Sequence, residues 1–180
     1  MQAKPILDLI ARHESESAAK AQGVASGYDV VVWQAFKIYP PPRPLTSMTV
    51  AEVLDWQAEA IRRYRQRFLS KSGYSAAGRY QIVRATLQSI IDDDWKMADL
   101  FDPSTQDLCA MVLLRRRCAY DAWLGGRRTH EQFADALSMV WASLPYRTGR
   151  SYYDGDKHGN RALVSREEVL RVLRGVRGGA

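Results

Sequence analysis

Cysteine is scarce in this sequence: two residues, Cys109 and Cys118, in 180. Their spacing predicts one helix carrying both, on opposite sides and about 13 Å apart along the axis, too far to bridge. No disulfide framework is expected, and both thiols should be reduced. Histidine is nearly as rare, at positions 13, 130 and 158. With no paired cysteine spacing beside them, a metal site has no support, and neither metal nor cofactor is expected. No apolar run of about 18 residues exists, which excludes a spanning helix and any stable membrane insertion. The start, MQAKPILDLIARHE, sets Asp8 inside its short apolar stretch and lacks a small-residue cleavage site. It is not an ordinary secretory signal, so the chain is expected to be made in the cytoplasm. Internal repeats are absent, and low complexity is confined to the tail GVRGGA.

What is present suits one compact domain spanning residues 1–180, since 46% of the residues are hydrophobic and such a chain can bury a real core. Net charge is +6 and the pI is near 9.5, a balance that favours an anionic partner: nucleic acid, a membrane surface or an acidic wall polymer. The basic clusters RRYRQR (62–67) and RRR (115–117) both fall on predicted helices. There neighbours spread by about 100° and wrap the axis rather than form a phosphate track. No recognition-helix or RNA-sheet motif accompanies them, so nucleic acid is not the expected partner.

Helix signals dominate. A first helix is expected over roughly 5–18. Three later helices open with a capping box: Thr49 with Glu52, Thr129 with Gln132 and Ser165 with Glu168. A fourth opens at Asp102-Pro103. Gly125-Gly126, Pro145 and Gly175 mark expected ends. Apolar stripes run through Val53, Trp56, Ala60, Tyr64 and Phe68, and through Phe133, Leu137, Val140, Trp141 and Leu144. GYDVVVWQAFKIY (27–39), rich in β-branched and aromatic residues, predicts a small extended or hairpin element. PPPRPLTS (40–47) predicts a loop. The fold class expected is mainly α (α+β).

Chemistry-bearing residues begin at the end of the first helix. Leu7, Ile10 and Glu14 recur at helical spacing and share a face, whereas Glu16 is roughly 200° around the axis from Glu14. Glu14 therefore rides on the apolar stripe. About sixty residues on, YSAAGRYQI (74–82) forms a small-residue turn. Gly78 permits close backbone approach, and Gln81 carries an amide that donates and accepts. Tyr80 and Tyr74 are candidate covers for sugar faces, with a structural role in the turn as the alternative for Tyr80 and Gln81.

Four blocks carry a resemblance: LDLIARHES (7–15), GYDVVV (27–32), SAAGRYQI (75–82) and WASLP (141–145), with STQD (104–107) between the last two. In this order they resemble the lambda-type phage endolysins, lytic transglycosylases of the lysozyme-like superfamily. The resemblance implies a helical lysozyme-like fold of two lobes with a glycan cleft, and a monomer acting on peptidoglycan in the periplasm or at the wall. It implies Glu14 as the catalytic acid, Ser15 positioning its carboxyl, and Gln81 lining the cleft; residues 146–180 resemble the family less clearly. Partial burial against Leu7 and Ile10 would raise the Glu14 pKa and keep the acid protonated. An arginine partner would instead lower it.

Hydrolysis of a glycosidic bond generally requires a second carboxylate. Asp29 is the candidate by proximity in sequence, with a structural role as its alternative; Asp154, Asp156 and His158 in a polar turn are looser ones. The reaction expected is transglycosylation by Glu14 alone, giving 1,6-anhydro ends, with a hydrolytic muramidase using Asp29 as the other route. A basic nucleic-acid-binding protein and a non-catalytic wall-binding module are the remaining readings.

Overall fold

A computed structural model describes residues 2–91, 97–156 and 158–178. The first helical run goes further than its spacing predicts. Helix α1 (Lys4–Ala11) passes into a π-helical turn, Arg12–Glu16, and on into α2 (Ser17–Gln22). The chain then crosses α3 (Trp33–Ile38), α4 (Val50–Phe68) and α5 (Arg84–Ile91). It continues through α6 (Pro103–Arg116), α7 (Tyr120–Leu124), α8 (His130–Ser138) and α9 (Arg166–Gly178). The architecture is mainly helical. Among the described residues no helix is long and apolar enough to cross a membrane.

The expected β element shrinks to isolated bridges, Val31 with Ala77 and Ala77 with Ile82 among them. Residues 27–39 are therefore not a hairpin. Gly27–Asp29 is a 3-10 turn, and the carboxamide of Gln22 takes both main-chain groups of Val31, donating to its carbonyl at 2.6 Å and accepting from its amide at 3.1 Å. A side chain thus stands where a neighbouring strand would. From Trp33 the chain turns helical and buries Ala35, with α3 against α4. Packing overrides the β propensity of the segment.

Two compact units emerge, one of residues 1–14 with 110–180 and one of residues 15–109. In the first, α1 buries Ile6, Leu9 and Ile10, and α9, which it packs against, buries Val169, Leu173 and Val176. Trp123 stacks on Phe133 with ring centroids 4.5 Å apart. Asp135, 6% exposed, is clamped by Arg147 at 2.7 Å and Arg166 at 2.8 Å. Burying a carboxylate is costly unless partners of this kind pair with it.

The second unit is organised around α4, which buries Val53, Leu54, Trp56 and Ala60. Trp56 Nε1 donates to the Tyr39 carbonyl, and the buried Gln57 amide donates to the carbonyls of Ser75 and Ile82. The expected stripe leaves the core before the helix ends, because Phe68 is exposed.

Helix starts fall where spacing places them. Thr49 and Thr129 form complete capping boxes, Asp102 accepts from the Thr105 amide and Ser165 from the Glu168 amide. Three expectations change. Helix α8 stops at Ser138, well before Pro145, so Val140, Trp141 and Leu144 lie outside it. Gly175 does not end α9, which continues to Gly178. Cys118 lies beyond the end of α6, so the cysteines do not share a helix. Both are buried and free, and burial pushes both thiols up to about 12, which makes them inert.

Thr49→Ala removes the acceptor for the Glu52 amide and should cost roughly 0.5–2 kcal/mol. The expected result is a lower urea midpoint at an unchanged denaturant slope.

Candidate active site

Glu14 sits inside the π-helical turn, where hydrogen bonds reach one residue further than in an α-helix. The residue is half-buried, and Glu16 is exposed. Its oxygen Oε1 accepts from Ser143 twice, from Oγ at 2.6 Å and from the backbone amide at 3.4 Å. Both residues belong to the first unit. Burial raises the Glu14 pKa, and the two Ser143 bonds, which favour the anion, offset only part of that rise. A carboxyl of this kind retains its proton where an exposed glutamate has lost it.

Ser15, fully buried, begins the second unit. Its hydroxyl donates to the Arg79 carbonyl at 2.9 Å, which ties the helical run to the 75–82 turn. A Cβ on Gly27 would lie 2.5 Å from Ser15 Oγ, so only glycine fits where GYD passes this serine.

The turn itself is closed by paired bonds between Ala77 and Ile82. Gly78 adopts φ +77, and a Cβ there would collide with Gln106 Oε1. Gln106, 1% exposed, accepts from the Arg79 amide at 2.9 Å and donates to the carbonyls of Tyr28 and Phe101. Its neighbour Asp107 accepts from the hydroxyls of Tyr28 and Tyr80 at 2.8 and 2.7 Å. Arg79 completes the group, donating to Tyr28 Oη at 2.8 Å with its guanidinium over the Tyr28 ring.

Tyr80 is 1% exposed and presents no ring face to a sugar; burial, then the bond to Asp107, pushes its hydroxyl pKa up. Its place is within the turn's support. Tyr74 packs edge-on against Tyr64. Gln81 is half-buried in a left-handed conformation, φ +47, with Nε2 donating to the carbonyls of Val30 and Gly78. Among the described residues its Oε1 meets no donor. A non-glycine residue held there stores strain, as functional positions often do. Asp29 is half-buried and accepts the Thr46 amide at 2.9 Å, which anchors the proline-rich loop. Asp156 accepts from the amides of His158 and Asn160 and organises a polar turn.

Three residues with a clear geometric part escaped the sequence reading. Ser143 lies in WASLP, and Gln106 and Asp107 lie in STQD; both blocks were visible, but no residue in them stood out. The available signal was the co-occurrence of these blocks with the Glu14 and GRYQI blocks.

The sequence model of the Endolysin family matches residues 4–166. No curated protein and no solved structure gives a significant match to the chain.

The raised Glu14 pKa has a consequence for stability. An unfolded glutamate titrates near pH 4.3, so with rising pH the unfolded state gives up its proton before the folded state does. Ionisation of Glu14 therefore erodes stability from about pH 4 up to its folded-state pKa. Glu14→Gln cannot ionise and keeps an oxygen for Ser143. It should match wild type in acid and gain Tm relative to it as pH rises, then level off. A Tm difference independent of pH would refute the burial argument.

Proposed function

The chain belongs to the Endolysin family, peptidoglycan-degrading enzymes that act on the cell wall, and from that premise we propose a lambda-type lytic transglycosylase. In this reading residues 1–180 form one catalytic domain of lysozyme-like fold. Glu14 is the catalytic residue. What carries the proposal is its carboxyl: raised in pKa by burial, and held at Oε1 by Ser143 Oγ at 2.6 Å. Oε2 has no hydrogen-bond partner among the described residues and is the oxygen we assign to substrate.

The reaction runs in two proton transfers. Glu14 gives its proton to the oxygen bridging N-acetylmuramic acid and N-acetylglucosamine as the bond from C1 to that oxygen breaks. The C6 hydroxyl of the same muramic acid then bonds to C1 and returns its proton to the Glu14 carboxylate, closing a 1,6-anhydro ring. An intramolecular nucleophile needs no binding site of its own, an advantage that reaches roughly 7–11 kcal/mol for well-oriented groups. Gln81, whose Oε1 meets no donor among the described residues, is assigned to glycan contact. Ser15, bonded to the Arg79 carbonyl, and Tyr80, bonded to Asp107, support the turn that carries Gln81.

Hydrolysis would require a carboxylate to deprotonate water. Asp29, the acid considered for it, has Oδ1 engaged with the Thr46 amide.

Glu14→Gln should lower lysis of permeabilised Gram-negative cells by roughly 10²–10⁴-fold, with the thermal melt retained. Glu16→Gln should lyse like wild type, and equal rates for the two variants would remove Glu14 from the mechanism. Mass spectrometry of digested, purified murein should find muropeptides one water lighter than reducing-end products. A digest dominated by reducing ends would mean hydrolysis and would direct attention back to Asp29.

A further inference from the structure

The last turn of α4 carries a feature that glycan cleavage does not use. Phe68 and Leu69 are consecutive and 53% and 95% exposed. Leu69 caps the helix at φ +48, ψ +37, its amide bonded to the Arg65 carbonyl, and the Ser70 amide returns to the same carbonyl. The left-handed position after a helix is usually glycine, because a side chain there is strained. Here strain is accepted in order to point a leucine at water, which costs again.

Along the chain on either side of it the charges have one sign. From Arg62 to Gly73 the chain holds five cations and no acid. Arg62 and Arg63 pair with Glu59. Arg65, Arg67 and Lys71 are exposed and form no ion pair among the described residues; Arg67 lies over the Phe68 ring at 5.8 Å. Tyr64 packs against Phe68 with centroids 4.7 Å apart and the rings tilted by 40°, which adds an amphipathic ring beside the apolar pair.

We propose that this tip, Phe68-Leu69 within Arg65, Arg67 and Lys71, is a docking site for an anionic phospholipid surface. An apolar pair needs an apolar medium, which neither a glycan nor a phosphodiester chain offers to leucine. A bilayer supplies acyl chains just beneath a plane of phosphate, matching the apolar centre and the cationic surround. Long arginine and lysine stems can lie against the apolar pair while their charges reach headgroups. The contact is peripheral and reversible. It is independent of Glu14 chemistry, because vesicles contain no murein.

The test is flotation of the full chain with phosphatidylglycerol vesicles and, separately, phosphatidylcholine vesicles. Binding is expected to the anionic vesicles, weakening with salt, and to be at least tenfold weaker on the zwitterionic ones. Leu69→Gly should relieve the left-handed strain, hold or raise Tm, and still weaken binding about tenfold or more. Arg67→Glu with Lys71→Glu, both exposed, should do the same by charge. The proposal is overturned by absence of binding, by equal binding to both lipids, or by wild-type binding in either variant. Leu69-dependent self-association without vesicle binding would overturn it as well.

Discussion

The carboxamide of Gln106 occupies the space where residue 78 would carry a Cβ, and much of the second unit depends on that occupation. It can accept from Arg79 and donate to Tyr28 and Phe101 only because Gly78 lets the backbone approach. Three motifs far apart in sequence, GYD, GRYQ and STQD, are thereby fastened at one buried side chain. Asp107 repeats the arrangement through the two tyrosine hydroxyls. A buried amide with its partners satisfied fixes one arrangement, because any other leaves polar groups unpaired at considerable cost.

Ser15 belongs to the same constraint within the second unit. Its hydroxyl bonds the Arg79 carbonyl, one residue from the glycine that admits Gln106. Glu14 itself answers to Ser143 in the first unit. Burial and hydrogen bonding act on this carboxyl in opposite directions, and burial wins. That outcome is what a general acid requires, and it explains why the functional reading centres on Glu14 rather than on the exposed Glu16.

The excess of positive charge resolves into distinct groups. Arg62 and Arg63 pair within their own helix with the single carboxylate of Glu59. Arg147 and Arg166 pair with Asp135 in the first unit's core. Arg79 belongs to the Tyr28 and Asp107 group. The cations at the end of α4 remain without acidic partners among the described residues, beside the two most conspicuous apolar exposures in the second unit. Net charge alone could not have separated these roles.

The helix starts at Thr49, Asp102, Thr129 and Ser165, and the exposed place of Glu16, were legible in the sequence because the bonds and periodicities that set them span three or four residues. A capping side chain and the amide it satisfies are near neighbours whatever the rest of the chain does. The helical identity of Trp33–Ile38, the burial of the Tyr80 ring and the separation of Cys118 from α6 were decided only by tertiary structure. So was the bond between Ser143 and Glu14, which joins residues 129 positions apart. Propensity and spacing report on what a residue does with its immediate neighbours. What surrounds it, and hence whether a carboxyl keeps its proton or a tyrosine shows its face, depends on which distant segments fill the space around it.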